Sequence, residues 1–170
     1  QLDHAGIPTL AAIAEAVKAL HDMGNQNEIK LIVGGGIKNG ADAAKAIALG
    51  ADIVYLGTAP MIALNCHAPI YLEDYERLGT TPYDCQHCHR GLCPVGFTTQ
   101  LPKLMARLDV DKAAERVTNY LNAMTMEIQL FARSCGKNKV SDLDPNDLRS
   151  LTHDVAMMTG IPMVGLNGRK

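Results

Sequence analysis

The chain has 170 residues, 47% of them apolar and 20% charged, which suits one globular domain with a real core. A formal net charge of −2 implies no nucleic-acid partner, and aromatics at 4% with no tryptophan leave no platform for stacking bases. No apolar run approaches the roughly 20 residues that cross a bilayer.

Residues 9–23 carry Leu10, Ile13, Ala14, Val17, Leu20 and Met23 at helical spacing, with Gly24 as a stop. Ile29 to Val33 predicts a strand ended by Gly34-Gly35-Gly36. Ala41 to Leu49 predicts a second helix, closed by Gly50. Ile53 to Leu56 predicts a second strand, ended by Gly57-Thr58, and Ala59 to Leu64 begins another helix. Helices alternating with strands across short joints are the signature of a parallel sheet.

Residues 65–100 show no period and read as loop. From Leu101 the pattern is helical again, marked by Leu104, Leu108, Ala114, Val117, Tyr120, Leu121, Met124, Ile128 and Phe131, with Gly136 as the stop. Asp142 to Leu148 looks like the opening of a final helix, with Asp144 as N-cap and Pro145 in its first turn.

Two βα units cannot close a (β/α)8 barrel, which needs about 250 residues. The chain opens Gln1-Leu2-Asp3-His4, neither a signal peptide nor an initiator Met, and reads as the middle of a longer protein. The expected fold is therefore α/β: the C-terminal portion of a (β/α)8 TIM barrel, then a cysteine-rich loop and a helical tail. The divisions fall at 1–65, 66–100 and 101–170.

The glycines carry the first candidate site. Glycine lets backbone amides approach an anion with no Cβ in the way. Gly34, Gly35 and Gly36 follow one strand, and Gly57 and Thr58 follow the next. Loops after consecutive barrel strands often cradle a phosphate. The pattern alone suits FMN, a nucleotide or a sugar phosphate, or simply tight βα turns.

The second candidate is the run Cys85-Gln86-His87-Cys88-His89-Arg90-Gly91-Leu92-Cys93-Pro94. Three thiolates this close can converge on one soft centre, and a proline after the last cysteine is a feature of ferredoxin-type loops. Cys66 offers a fourth ligand. Structural zinc is the rival, since Cys-x2-Cys is half of a zinc knuckle and His67, His87 and His89 are near. The usual second ligand pair is missing, so the histidines read as polar loop groups. An odd count of five cysteines without a secretory signal points to ligation in a reducing cytoplasm rather than to disulfides. Cys135, in an apolar helical context, reads as a buried small residue.

These residues carry a resemblance. Gly35-Gly36-Ile37 with Gly40 and Asp42, Ala48-Leu49-Gly50-Ala51-Asp52, Gly57-Thr58-Ala59 through Ile62-Ala63-Leu64 to Cys66, and Cys88-His89 through Cys93-Pro94-Val95-Gly96 to Thr99-Gln100 are similar to the FMN-binding domain of the glutamate synthase family. Leu108-Asp109 and Ala114-x-Arg116-Val117 in the tail fit as well. The resemblance covers nearly the whole chain. It implies a (β/α)8 barrel with FMN and a 3Fe-4S cluster that passes electrons to the flavin. It also implies reduction of 2-iminoglutarate, so that glutamate forms from 2-oxoglutarate and ammonia or glutamine nitrogen.

The family's last two cluster ligands map onto Cys88 and Cys93, and its first maps by context onto Cys66. Here a stretch from about His67 to Tyr83 is inserted, and Cys85 is an additional cysteine. The ligand set is Cys88 and Cys93 with Cys66 or Cys85, or all four, which would permit a 4Fe-4S cluster. The resemblance further implies partners: the rest of the barrel in the same or another chain, an amidotransferase subunit and an electron donor. No catalytic residue is assigned, because the substrate side of the barrel lies outside this chain, which alone should be inactive. Two alternatives stay open: a subunit of N-methylglutamate synthase, and a non-catalytic iron–sulfur electron-transfer module.

Overall fold

The computed structural model describes residues 6–82 and 84–165. Gln1 to His4 and Tyr83, which figured in the sequence reading, lie outside the described residues. Two compact units are present. The described part of one is 58–122; that of the other is 6–57 with 123–165. The architecture is rich in helix and has a small parallel sheet.

In the second unit, α1 (Thr9–Asp22) precedes β1 (Ile32–Val33), α2 (Gly40–Ala48) and β2 (Ile53–Val54). β1 and β2 pair in parallel, Ile32 opposite Ile53 and Val33 opposite Val54. The expected strands at 29–33 and 53–56 are shorter than their apolar runs. The amide of Ile29 is held in a turn by the Asn25 carbonyl, and the Asp52 carboxylate accepts from the Leu31 N–H, so the ladder starts only at Ile32. Each helix stops where glycine was expected to stop it. Gly24 and Gly50 adopt φ of 71° and 113° and close α1 and α2. Asn39 caps α2, its side chain accepting from the Asp42 amide at 2.9 Å.

The core of this unit gathers Ala44 and Ala48 of α2 with Ala132 of α6 (Val110–Ser134) and Leu143. Small alanines on α2 let α6 approach closely. The opening of a final helix at Asp144 is corrected. Asp144 does cap Pro145 in a reciprocal capping box with Asp147, but one 3₁₀ turn results. The last helix, α7 (His153–Thr159), starts later under the Thr152 side chain. The apolar spacing beyond 145 is too short to carry a helix through Leu148.

In the first unit, α3 (Thr58–Ala63) leads into the stretch read as loop. That reading is corrected as well. Residues 69–71 form a 3₁₀ turn, α4 (Leu72–Arg77) follows, and Cys88–Arg90 make another 3₁₀ turn. Elements of six residues or fewer are too short to register as a period. The helical tail is broken, as its spacing allowed: α5 (Pro102–Met105) is separated from α6 by a turn at 106–109. Among the described residues no helix is long and apolar enough to cross a membrane.

Candidate functional site

Cys66, Cys85, Cys88 and Cys93 line one pocket with Tyr75, His87 and Pro94. The cavity they enclose is small, about 10 Å³. Among the described residues no group of three or more His, Cys, Asp or Glu is set to grip a single metal ion.

Local sequence explains how the last three arrive. Cys88 opens a 3₁₀ turn that ends at Gly91 in the left-handed region, reversing the chain. Leu92 and Thr99 then form an antiparallel bridge, and residues 93–98 make the loop between them. Within it the Gly96 amide donates to the Cys93 carbonyl at 3.2 Å, a turn with proline in its second place. Glycine is required there, because a Cβ on Gly96 would lie 2.5 Å from the Leu104 carbonyl oxygen.

This loop points amides at a sulfur. Burial opposes ionisation of Cys93, but the backbone N–H groups of Thr98, Phe97 and Val95 donate to it and bring its thiol below the usual pKa. The Thr98 hydroxyl adds to that field without a well-aligned hydrogen bond. Cys66 goes the other way: burial, then the neighbouring Cys93, Cys88 and Cys85, push its thiol up to about 11. Crowded thiols that repel as anions are what a cation between them relieves. Cys85 is half-buried and Cys88 exposed, and all five cysteines are free. The donor set therefore fits a thiolate-bound metal or iron–sulfur centre.

Cys66 reaches the pocket by a different route. Asn65 ends α3 in the left-handed region with φ of 74°, and the Cys66 amide closes the cap on the Met61 carbonyl at 3.0 Å. Tyr75 of α4, fully buried, donates its hydroxyl to the Cys66 carbonyl at 2.7 Å. Its ring packs with Ala68, Cys93 and Val95, and burial followed by the nearby thiols raises its phenol pKa. One nitrogen of Arg107 holds Asp74 at 2.6 Å and the Pro94 carbonyl at 2.8 Å, while its guanidinium lies 4.5 Å from the centre of the Tyr71 ring.

Sequence reading missed Tyr75, Thr98 and Arg107, and it set aside His87, which lines the pocket. Only the charged run Glu73-Asp74-x-Glu76-Arg77 around one tyrosine hinted at a helix with a single inward residue. Cys135 is corrected: it is exposed, just past the end of α6, where the chain turns at Gly136.

The glycine turns leave the same end of the paired strands, since β1 and β2 run parallel. Gly35 and Gly36 have φ of 114° and 74°. A Cβ on Gly35 would sit 2.7 Å from the Thr9 hydroxyl, which donates to the Gly35 carbonyl. A Cβ on Gly34 would enter the Tyr55 ring at 2.2 Å, so packing is one reason for that glycine. Around Gly36 and Gly57 nothing lies within 4 Å of where a Cβ would stand. Open space beside two bare backbone segments fits an anion approaching their amides. Thr58 is the first residue of α3 and belongs to the other unit.

A family model described as a conserved region in glutamate synthase matches residues 1–138. Among curated proteins, the chain is 48% identical over 164 residues to a glutamate synthase large subunit-like protein of Rhizobium meliloti (strain 1021), covering 96% of this chain and 37% of that one. It is 42% identical over 144 residues to an archaeal glutamate synthase (NADPH) of Methanocaldococcus jannaschii, covering 85% of this chain and 25% of that protein. An archaeal-type glutamate synthase (NADPH) of Thermotoga maritima is 40% identical over the same length. The chain thus spans from a quarter to somewhat over a third of the relatives it matches.

Proposed function

The chain belongs to the glutamate synthase family, and from that premise we propose that it is the part of a glutamate synthase-like oxidoreductase that holds an iron–sulfur cluster and the phosphate end of FMN. The observation that carries this is the cysteine pocket: four thiols around one space, with amides aimed at Cys93. Four cysteines on one pocket, with a proline directly after the last, suit an iron–sulfur cluster. In this reading Cys66, Cys85, Cys88 and Cys93 are the ligands. Gly34, Gly35, Gly36, Gly57 and Thr58 hold the flavin phosphate.

Together, a cluster and a flavin would supply stepwise transfer of single electrons to a two-electron hydride donor. The residues of this chain bind and orient: the amides of the 93–98 loop stabilise negative charge at Cys93, and Tyr75 with Ala68 and Val95 packs around Cys93 and keeps it buried. We assign residues 1–65 to the last βα units of a barrel, 66–100 to the cluster loop and 101–170 to a helical tail. Ile32, Ile53 and Tyr55 of the sheet region are 58%, 49% and 59% exposed, although parallel sheets are normally covered on both faces. Further barrel strands, in the same polypeptide or another, would cover them. An amidotransferase and an electron donor complete the assembly, and five free thiols suit the reducing cytoplasm.

Anaerobic purification of the full-length protein tests this. We expect iron, acid-labile sulfide and FMN, and glutamate or an N-alkyl glutamate from 2-oxoglutarate, reductant and ammonia, glutamine or methylamine. A colourless protein holding only zinc would reject the reading.

A further inference from the structure

Three of the four pocket cysteines come together because the chain gives them little choice. Cys85, Cys88 and Cys93 lie within one short run, bent by the turn at Gly91. Cys66 has no such tether. Residues 67–84 intervene between it and Cys85, so a tertiary contact must bring it in. That contact is specific. The buried Tyr75 hydroxyl donates to the Cys66 carbonyl at 2.7 Å, and the same ring packs on Cys93 and lines the pocket. The adjacent Asp74 is gripped by Arg107, which also binds the carbonyl of Pro94, the residue after Cys93. Neighbouring residues of α4 thus fasten to both ends of the ligand set: Tyr75 to Cys66 and, through Arg107, Asp74 to the Cys93 loop.

We propose that Tyr75 is the positioning residue that brings Cys66 into the pocket as a fourth thiolate ligand, so that the site takes a 4Fe-4S rather than a 3Fe-4S cluster. This rests on the iron–sulfur reading above and adds the cluster type and the device that holds the fourth ligand. A 4Fe-4S cluster presents one iron to each of four thiolates, whereas a three-iron cluster needs only three. A fourth cysteine held at the pocket by a buried hydrogen bond is placed for the fourth corner. Tyr75 hydrogen-bonds to the Cys66 backbone while its ring packs on Cys93, so its role is to hold the ligands in place.

The test uses the full-length protein, purified anaerobically as wild type, Cys66→Ala and Tyr75→Phe. Wild type should hold about four irons and four sulfides per chain, be silent by electron paramagnetic resonance when oxidised and give a signal on reduction. Cys66→Ala should hold about three irons and give its signal in the oxidised state. Tyr75→Phe keeps the ring and its packing but loses the hydroxyl. On titration with ferricyanide it should lose one iron several-fold faster than wild type, with flavin retained. In that step ferricyanide takes one electron, ferrous ion departs and the freed Cys66 thiolate takes up a proton.

Wild type with about three irons and an oxidised-state signal would overturn the four-thiolate assignment and leave the cluster reading intact. Wild type without iron or sulfide would overturn that reading itself. Tyr75→Phe releasing iron at the wild-type rate, or losing all its iron together with the flavin, would remove Tyr75 from the positioning role.

Discussion

Glu127 of α6 accepts a hydrogen bond from the Gly40 amide at 2.7 Å, tying α6 to the first turn of α2. The carboxylate meets one of the N–H groups that a helix start leaves unpaired. A Cβ on Gly40 would lie 2.6 Å from both the Glu127 Cβ and the Met124 carbonyl oxygen. Backbone cannot yield as a side-chain tip can. Gly40→Ala should therefore destabilise the protein by about 1–3 kcal/mol, and Glu127→Ala by about 1 kcal/mol. Denaturant midpoints measure both, and a neutral Gly40→Ala would show that the two helices are less closely packed.

The cysteines should separate by role. Cys93→Ser and Cys88→Ser remove pocket thiolates and should abolish or sharply reduce bound iron. Cys135→Ser, at an exposed position away from the pocket lining, should leave iron and sulfide unchanged. Full iron in the Cys93 variant would contradict the ligand assignment.

Gly57→Val offers a clean probe of the flavin phosphate. No atom stands within 4 Å of the added Cβ and no left-handed φ is violated there, so stability should change by less than about 0.5 kcal/mol. Flavin content should fall while iron is retained. Gly36→Val should lose flavin too, but its φ of 74° adds roughly 1–2 kcal/mol of backbone strain. Unchanged flavin in both variants would refute the phosphate site.

Metal removal should expose a pH dependence. Cys66 is raised from 9.0 to about 11, by burial first and then by Cys93, Cys88 and Cys85. Below pH 9 the thiol is protonated in folded and unfolded chains alike, and its contribution to stability is fully present. Between 9 and about 11 the unfolded chain alone sheds the proton, so stability falls as pH rises through that window. Tyr75, raised above its ordinary 10.0 chiefly by burial, acts in the same direction. Urea midpoints of the metal-free protein should drop across this range and drop less in Tyr75→Phe. A flat profile would contradict the burial of both groups.

The sequence made some features legible because their causes are local. Glycine at 24, 50 and 136 stops helices through its own left-handed φ, and Asp144 caps through its own side chain. Cys85, Cys88 and Cys93 are near in space because they are near along the chain. What stayed hidden depends on distant partners. Nothing beside Tyr75 signals that its hydroxyl meets Cys66, and nothing beside Leu31 signals that the Asp52 carboxylate takes its amide and shortens β1. Cys135 misled because a helical period tells which residues share a face, not whether the last of them lies past the helix end. The short α4 escaped for lack of turns.

The ring of Tyr55 occupies the place where a side chain on Gly34 would begin. The two positions are therefore bound together in variation. A larger residue at 34 makes the exposed Tyr55 ring swing aside, and a shortened residue at 55 frees 34 to change. Among relatives, glycine at 34 should accompany an aromatic at 55, and the pair should drift jointly. Gly34→Ala should shift the Tyr55 ring, and whatever stability that costs should return with Tyr55→Ala in the same molecule, as denaturant midpoints would show.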